Sequence, residues 1–180
     1  MIEEHPFKYF LPENPNKLII GSFPCFNGID YGDWFYSGSG KNDFWELLSK
    51  VFQLPAKTRN HKEELCRKNR IGITDIALKI KRKKGNCSDS NLEIIEYNLD
   101  NIKLCLSKGI DTIFFTSKFV DKHFSSQFTN LGIPTIVLLS PSPAANTYIA
   151  TLHEYKKLLN SKLISGTFEY RLLKYKEALL

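Results

Sequence analysis

The sequence lacks the motifs that identify several common kinds of active site. It contains no Gly-x-x-x-x-Gly-Lys phosphate loop, no Gly-x-Gly-x-x-Gly after a strand and no Gly-x-Ser-x-Gly nucleophile elbow. The four histidines are scattered, and the four cysteines show no C-x-x-C spacing, so neither set has the arrangement of metal or cluster ligands. We therefore expect no metal, no iron–sulfur cluster and no other cofactor.

Long apolar runs are also missing. No segment approaches the ~20 apolar residues of a membrane-spanning helix, and the start at Met1 does not resemble a signal peptide. We expect Cys25, Cys66, Cys87 and Cys105 to be free thiols in a reducing compartment. These absences favour a soluble cytoplasmic protein with no membrane partner, and we expect a monomer.

What is present is the composition of one ordinary globular domain. The 180 residues are 42% hydrophobic and 24% charged, and this length suits a single domain over residues 1–180. Aromatic residues make up 13%, and many of them fall in one stretch of the N-terminal quarter. The net charge of +6 mildly favours a polyanionic partner such as a nucleic acid.

Short apolar runs alternate with amphipathic segments along the chain. We predict strands at about 17–22, 71–76, 111–116 and 134–140. We predict helices at about 42–52, 89–106, 118–128, 147–159 and 166–180. The strands are almost continuously apolar, as are parallel strands covered on both faces. The fold class is therefore α/β, and we expect a three-layer α/β/α sandwich with a central four-stranded parallel sheet.

Two loops that follow predicted strands carry most of the candidate site residues. The first begins with Gly21-Ser22-Phe23-Pro24 and runs through the aromatic stretch to Asn42. The second is the proline-rich segment 140–146. Because such loops emerge together at the carboxyl edge of an open parallel sheet, we expect them to share one ligand cleft.

The first loop offers groups that suit a flat base. Gly21 lets a ligand approach the backbone. Phe35 and Tyr36 present flat faces, on which a stacked base contributes ~1–3 kcal/mol. Asn42 can read a base edge or hold a water, and the alternative is that it caps the following helix. Phe23 points either into the pocket or into the core.

The second loop suits a phosphate. Its serine hydroxyls and backbone amides precede a helix that begins near Asn146, and a helix N-terminus attracts phosphate. The alternative is a rigid Ser-Pro-Ser-Pro turn in which Asn146 only caps the helix.

A third segment lies at the end of another predicted strand. Asp75 could be a base, a pocket acceptor or only a turn residue. The basic run that follows comprises Lys79, Lys81, Arg82, Lys83 and Lys84. Such a run is commonly a solvated face, but its place on the expected ligand edge also favours contacts with phosphates.

The order, spacing and placement of these motifs resemble the uracil-DNA glycosylase superfamily over about residues 17–159. Gly21-Ser22-Phe23-Pro24 resembles its first motif, and Ser140-Pro141-Ser142-Pro143 resembles its second. Phe35-Tyr36 with Asn42-Asp43-Phe44-Trp45 resembles the longer motif of the mismatch-specific and hypoxanthine-DNA branches. Segments 72–75 and 86–89 resemble those of an uncharacterised bacterial group within the superfamily.

The resemblance implies a DNA glycosylase that flips a deaminated base, uracil or hypoxanthine, out of DNA and hydrolyses its bond to the sugar. It implies Asn42 as the catalytic residue, which reads the base or orients the water. The implied base-binding residues are Gly21, Ser22, Phe23, Phe35, Tyr36, Asp75 and Ser140. The implied DNA-backbone residues are Pro141, Ser142, Pro143, Ala144, Asn146, Lys81 and Arg82.

Two positions depart from the family pattern. Phe23 stands where many members carry Asp or Asn, and Ser140 stands where many carry His. Because Phe23 cannot handle a water and Ser140 is a weaker donor, we expect slow or narrow activity. Two other hypotheses stay open: a non-catalytic DNA- or nucleobase-binding module of the same fold, and a pocket for a small nucleotide or unrelated acid.

Overall fold

A computed structural model of the chain describes residues 1–38 and 40–180. Within these residues the strands are β1 (Ile2–Glu4), β2 (Tyr9–Phe10), β3 (Lys17–Gly21), β4 (Ile71–Asp75), β5 (Ala77–Arg82), β6 (Leu92–Tyr97), β7 (Thr112–Phe115) and β8 (Thr135–Val137). The α-helices are α1 (Phe44–Phe52), α2 (Arg59–Lys68), α3 (Leu99–Leu106), α4 (Lys118–Gln127), α5 (Asn146–Ile149), α6 (His153–Asn160) and α7 (Thr167–Leu179). Short 3-10 turns span Asp89–Asn91 and Pro143–Ala145.

The central sheet of the described residues has five strands in the order β2-β4-β3-β7-β8. β4, β3, β7 and β8 run parallel, and Ile19 aligns with Ile73 on one side and Phe114 on the other. β2 pairs antiparallel with β4 at the edge. The prediction of a four-stranded, all-parallel sheet is therefore wrong, because an N-terminal strand too short to show a sequence pattern joins the sheet.

Side chains of the central strand alternate between two buried layers. Ile19 packs in a cluster with residues of α1, α2 and α7. Leu18 and Ile20 pack in a second cluster with residues of α3 and α4. Because successive residues of a strand point to opposite faces, the apolar run of β3 buries both sides of the sheet. Helices thus cover both faces.

A second, antiparallel sheet has the strand order β1-β5-β6. Its strand β6, residues 92–97, lies in the first half of the segment predicted as helix 89–106. The prediction is wrong there, and the α-helix covers only 99–106. Leu92 and Ile94 pack against the core, whereas Ile95 is 47% exposed. This alternation of buried and exposed residues is typical of a strand. The hydrogen bonds between β6 and β5 stabilise the strand, although the apolar spacing of the segment also fits a helix.

Among the other helices, three agree with prediction, one predicted helix is divided in two and one observed helix was not predicted. The predicted helix 147–159 is broken into α5 and α6 by a turn, in which Leu152 has an extended conformation. The helix α2 was not predicted, because its sequence is strongly polar and it buries only Lys62, Leu65 and Cys66. The predicted helices 42–52, 118–128 and 166–180 correspond to α1, α4 and α7 within two residues.

The cysteines fall into two classes. Cys25 and Cys87 form a disulfide with a Cα–Cα distance of 5.3 Å, so the prediction of four free thiols is wrong for this pair. Cys66 and Cys105 are free and buried. The two bonded residues are 62 positions apart, and sequence spacing alone cannot show that the fold brings them together. In the described ranges, no helix combines the length and apolar character needed to cross a membrane.

Candidate active site

The two candidate loops meet at one cleft. The backbone N–H of Asp43, in the first loop, donates to the carbonyl of Pro141 in the second loop at 3.0 Å. Between the loops lies a cleft of about 440 Å³. The cleft is lined by these residues of the sequence prediction: Ser22, Phe23, Tyr36, Asn42, Asp75, Ser140, Pro141, Ser142, Pro143 and Ala144.

The first loop is fixed by the ends of the central strands. The carbonyl of Gly21 accepts from the N–H of Ile76 at 2.8 Å, and that of Ile20 accepts from Thr116 at 3.1 Å. Gly21 lies behind the cleft wall and does not line it. A Cβ at Gly21 would stand 2.2 Å from both Asp75 Oδ1 and the Tyr36 hydroxyl. Only glycine leaves room for these two groups.

Asn42 lies at the mouth of the cleft, just before α1. Its Oδ1 accepts from the backbone N–H of Phe44 at 2.9 Å. The side chain therefore takes part in the start of the helix, as the capping alternative proposed, and it also lines the cleft. With Oδ1 engaged by the backbone, the amide nitrogen is the group that can donate to a ligand.

Tyr36 forms part of the cleft wall. Its ring stacks on Phe44 with the centroids 3.9 Å apart, and its φ of 59° is in the left-handed region. The hydroxyl is buried and meets no strict hydrogen-bond geometry among the described residues, and the Thr116 side chain lies near enough to lower its pKa. Burial and then the nearby charge of Asp75 hold the pKa of Tyr36 well above its ordinary value. The neutral hydroxyl remains a donor.

Asp75 ends β4 and is only 3% exposed. Its Oδ2 lies 2.9 Å from Nε2 of His5, a residue that the sequence did not identify. His5 Nδ1 accepts from the N–H of Phe7 at 3.1 Å and of Lys8 at 2.8 Å. Because Nδ1 is an acceptor, we assign the proton to Nε2, which donates to the carboxylate. His5 is 70 positions from Asp75, and no local pattern signals this pair.

Asp89 is a second carboxyl group in the cleft wall. The Ser117 hydroxyl donates to its Oδ2 at 2.8 Å. Burial raises the pKa of Asp89, hydrogen bonds from Ser22 and Ser117 act in the opposite direction, and the charge of Asp75 raises it further. The sequence showed only that Asp89 lies in a segment resembling family members.

Arg171 of α7 holds the second loop in place through hydrogen bonds. Its side chain is buried, and only 1% of the residue is exposed. It donates to the carbonyls of Ser140 at 2.8 Å and Ser142 at 3.0 Å, and to Asp43 Oδ2 at 3.0 Å. The Asn146 side chain also accepts from this guanidinium. The sequence analysis did not identify Arg171 as a site residue, because a single arginine in an amphipathic helix is expected to lie on the surface.

The remaining predicted residues lie away from the cleft or have other partners. Phe35 is fully buried in the core, so the prediction that it stacks on a base is wrong. Lys81 is exposed on β5 and does not line the cleft. Arg82 pairs with Glu3 at 2.8 Å and donates to the carbonyl of Pro24 at 2.7 Å, so it supports the first loop from outside.

The residues that the structure describes form no recognisable metal site. Within residues 1–38 and 40–180, no three His, Cys, Asp or Glu side chains are grouped as metal ligands. What the cleft offers is an aromatic wall, an amide, hydroxyls and two carboxyl groups. Such a set can bind a flat polar ring through its edge and can position a water by hydrogen bonds.

Comparison with known proteins gives two similarities. Over 145 residues the chain is 26% identical to a hypoxanthine DNA glycosylase of Methanosarcina barkeri, covering 79% of this chain and 89% of that protein. The solution NMR structure of a candidate uracil DNA glycosylase from Methanosarcina acetivorans has the same fold, with a TM-score of 0.63 and 24% identity. The match covers 95% of this chain and 99% of that structure. No family model matches the sequence.

Proposed function

The chain is related to the uracil-DNA glycosylase superfamily, and on that premise we propose that it hydrolyses the N-glycosidic bond of a flipped-out deaminated base in DNA, uracil or hypoxanthine. The observation that carries the proposal is the meeting of both motif loops at one cleft that contains Asn42. The similarity to a hypoxanthine DNA glycosylase supports a purine substrate.

The proposed reaction is a displacement by water at the sugar C1′ atom. The C1′–N bond breaks with its electron pair going to the base, a C1′–O bond forms, and the water gives up one proton. Asn42 contributes by orienting the water or the base through its amide, because an amide is not a general base. The base itself takes a proton as it leaves.

The second loop suits contact with the DNA backbone. Ser142, Pro143 and Ala144 line the outer wall of the cleft, and the last two are exposed. Ser142 Oγ accepts from the N–H of Ala144 at 3.3 Å, and this hydrogen bond fixes the turn at residues 142–144, the tip of the second loop. We propose that this tip contacts the phosphates beside the flipped nucleotide. Arg82 is engaged by Glu3, so its contribution to phosphate binding is indirect.

The test is base release from oligonucleotides that contain uracil, hypoxanthine or only normal bases. We expect release from one or both lesions and a loss of at least ~100-fold in Asn42→Ala, the scale of removing one positioned hydrogen-bonding group. Asn60→Ala is the matched control, because Asn60 is exposed on α2. Equal rates for the two variants, or no release by the wild type at high enzyme concentration, would refute the proposal.

A further inference from the structure

One step of the proposed reaction still needs a residue. The attacking water must give up a proton, and Asn42 cannot accept it, because an amide is not a general base. Phe23 also lines the cleft, but it is apolar. Among the described residues that line the cleft, the carboxyl groups are those of Asp75 and Asp89, and no histidine is present there. These two residues are therefore the candidates for the proton acceptor.

Asp75 is poorly placed for this step. Its Oδ2 is engaged by Nε2 of His5 at 2.9 Å. Its Oδ1 is closed off from solvent, and the residue is only 3% exposed. A water in the cleft therefore cannot approach either oxygen freely.

Asp89 is placed differently. The residue is partly exposed at the cleft, and among the described residues neither of its oxygens is buried without a partner. Oδ2 accepts from the hydroxyl of Ser117, just before α4, at 2.8 Å. Ser22 of the first loop lies near enough to lower the pKa of Asp89. These contacts hold the carboxyl group in place while it still meets the solvent of the cleft.

The segment that contains Asp89 is fastened to the first loop. Cys87, two residues earlier, is bonded to Cys25, and both residues line the cleft. The carbonyl of Asn86 accepts from Nη1 of Arg82 at 3.4 Å. Because a disulfide keeps its two Cα atoms within about 7 Å of each other, Asp89 stays beside the first loop. A group held in this way is suited to a step that depends on position.

We propose that the carboxylate of Asp89 is the general base of the reaction. It accepts a proton from the water as the water oxygen bonds to C1′ and the C1′–N electron pair leaves with the base. Asp89 then returns the proton to solvent, so the residue is unchanged after each turnover. The same negative charge stabilises the positive charge that develops on the sugar. The inference rests on the proposed glycosylase function and adds to it the residue that moves the proton.

The groups around Asp89 suit a proton acceptor. Its partial burial raises its pKa, the charge of Asp75 raises it further, and the charge of Arg82 lowers it. The charge of Asp89 in turn acts on His123 of α4 and on the Tyr36 hydroxyl. A raised pKa makes a carboxylate a stronger base.

The first experiment measures single-turnover base release from oligonucleotides that contain uracil or hypoxanthine. Asp89→Asn can still accept from Ser117, but its amide takes no proton from water. We expect a loss of at least ~100-fold in this variant, the lower end of the contribution of a general base. The matched control is Asp111→Asn, at an exposed aspartate that does not line the cleft, and it should show no loss. A smaller loss in Asp89→Asn would overturn the proposal.

Two readouts distinguish a proton acceptor from a residue that only supports the cleft. Wild-type release is expected to rise with pH between about 4, near the ordinary pKa of an aspartate, and about 8, and this rise should be absent in Asp89→Asn. Formate should restore part of the release in Asp89→Ala, because it supplies a small carboxylate, but it should not help Asn42→Ala. An unchanged pH profile in Asp89→Asn, or no rescue of Asp89→Ala, contradicts the role of a base.

Binding and stability show whether Asp89→Asn keeps its structure. The variant should bind a duplex with a tetrahydrofuran abasic analogue at least as tightly as the wild type, because it lacks a negative charge that repels phosphates. It should also unfold at no lower denaturant concentration. Weaker binding or a less stable fold would assign the lost release to a damaged cleft and overturn the catalytic role.

The wild type separates the failure of this inference from that of the proposed function. If the wild type releases neither uracil nor hypoxanthine, the proposed function fails, and the role of Asp89 fails with it. If the wild type releases base and Asp89→Asn releases it equally fast, only the role of Asp89 is refuted.

Discussion

Arg171 and Asp43 lie 128 positions apart in the chain, and Nη1 of Arg171 donates to Oδ2 of Asp43 at 3.0 Å. The same guanidinium donates to the carbonyls of Ser140 and Ser142. Asp43 directly follows Asn42, so the C-terminal helix fixes both the amide of the first loop and the backbone of the second. The cleft depends on a residue that does not line it.

We expect Arg171→Ala to lower the free energy of unfolding by about 3 kcal/mol, because it leaves the partly buried Asp43 carboxylate and the carbonyls of Ser140 and Ser142 without their donor. Denaturant unfolding measures this change. Arg59→Ala removes an exposed helix-surface arginine paired with Glu63, and it is expected to cost ~0.5 kcal/mol or less. Equal losses in the two variants would contradict the anchoring role of Arg171.

Asp89 predicts a specific pH dependence of stability. Burial raises its pKa above the ordinary value of 3.8, so the folded state binds this proton more tightly than the unfolded state. Its contribution is most favourable below the ordinary pKa, and stability falls as the pH rises through the raised pKa. Asp89→Asn should remove this fall and be more stable than the wild type at pH 7.

The measurement is the free energy of unfolding as a function of pH, from about 3.5 to 7, a range that begins just below the ordinary pKa of an aspartate. Asp111→Asn, at an exposed aspartate, serves as the control. A parallel pH profile for wild type and Asp89→Asn would mean that the carboxyl group is solvated in solution.

Gly21→Ala is expected to destabilise the fold by about 1–3 kcal/mol, the usual cost of adding a methyl group to a filled site. The new Cβ would approach both Asp75 and Tyr36 to 2.2 Å. At Gly85 an added Cβ meets nothing within 4 Å, so Gly85→Ala is the matched control. The midpoint of thermal unfolding is measured for both variants. An unchanged midpoint for Gly21→Ala would show that Asp75 and Tyr36 move aside to make room for the added methyl group.

The Cys25–Cys87 disulfide predicts how many free thiols can be titrated in the unfolded chain before and after reduction. Unfolded without reductant, the chain should expose two thiols, those of Cys66 and Cys105, and after reduction four. In the native state both free thiols should react slowly, because burial raises the pKa of Cys105 to about 12 and that of Cys66 further. Four reactive thiols in the unreduced, unfolded chain would exclude the Cys25–Cys87 bond.

Removing that bond should also weaken the fold. It joins the first loop to the segment after β5 at the cleft. Cys25→Ser with Cys87→Ser is expected to lower the free energy of unfolding by about 2–4 kcal/mol, through the greater freedom of the unfolded chain. Reductant should then have no further effect on the double variant, whereas it should destabilise the wild type.

Much of the fold followed from local patterns, but the second sheet did not. Continuous apolar runs such as Leu18–Ile20 indicate a strand buried on both faces, and three helices were placed within two residues of their ends. The strand β6 was predicted as helix because Leu92, Ile95 and Leu99 are spaced three and four residues apart, which also fits one face of a helix. Pairing with β5 resolves that ambiguity, and pairing is not a local property.

The candidate site divides in the same way. The sequence by itself indicated that each motif loop follows a buried parallel strand. The two loops were therefore expected to meet at one edge of the sheet, because parallel strands end at the same edge. Only the tertiary structure decided which side chains face the cleft: it buried Phe35, joined His5 to Asp75 and brought Arg171 beneath the second loop. A buried polar group must find its partner in space, and the partners lie up to 128 positions away, beyond the reach of any periodicity.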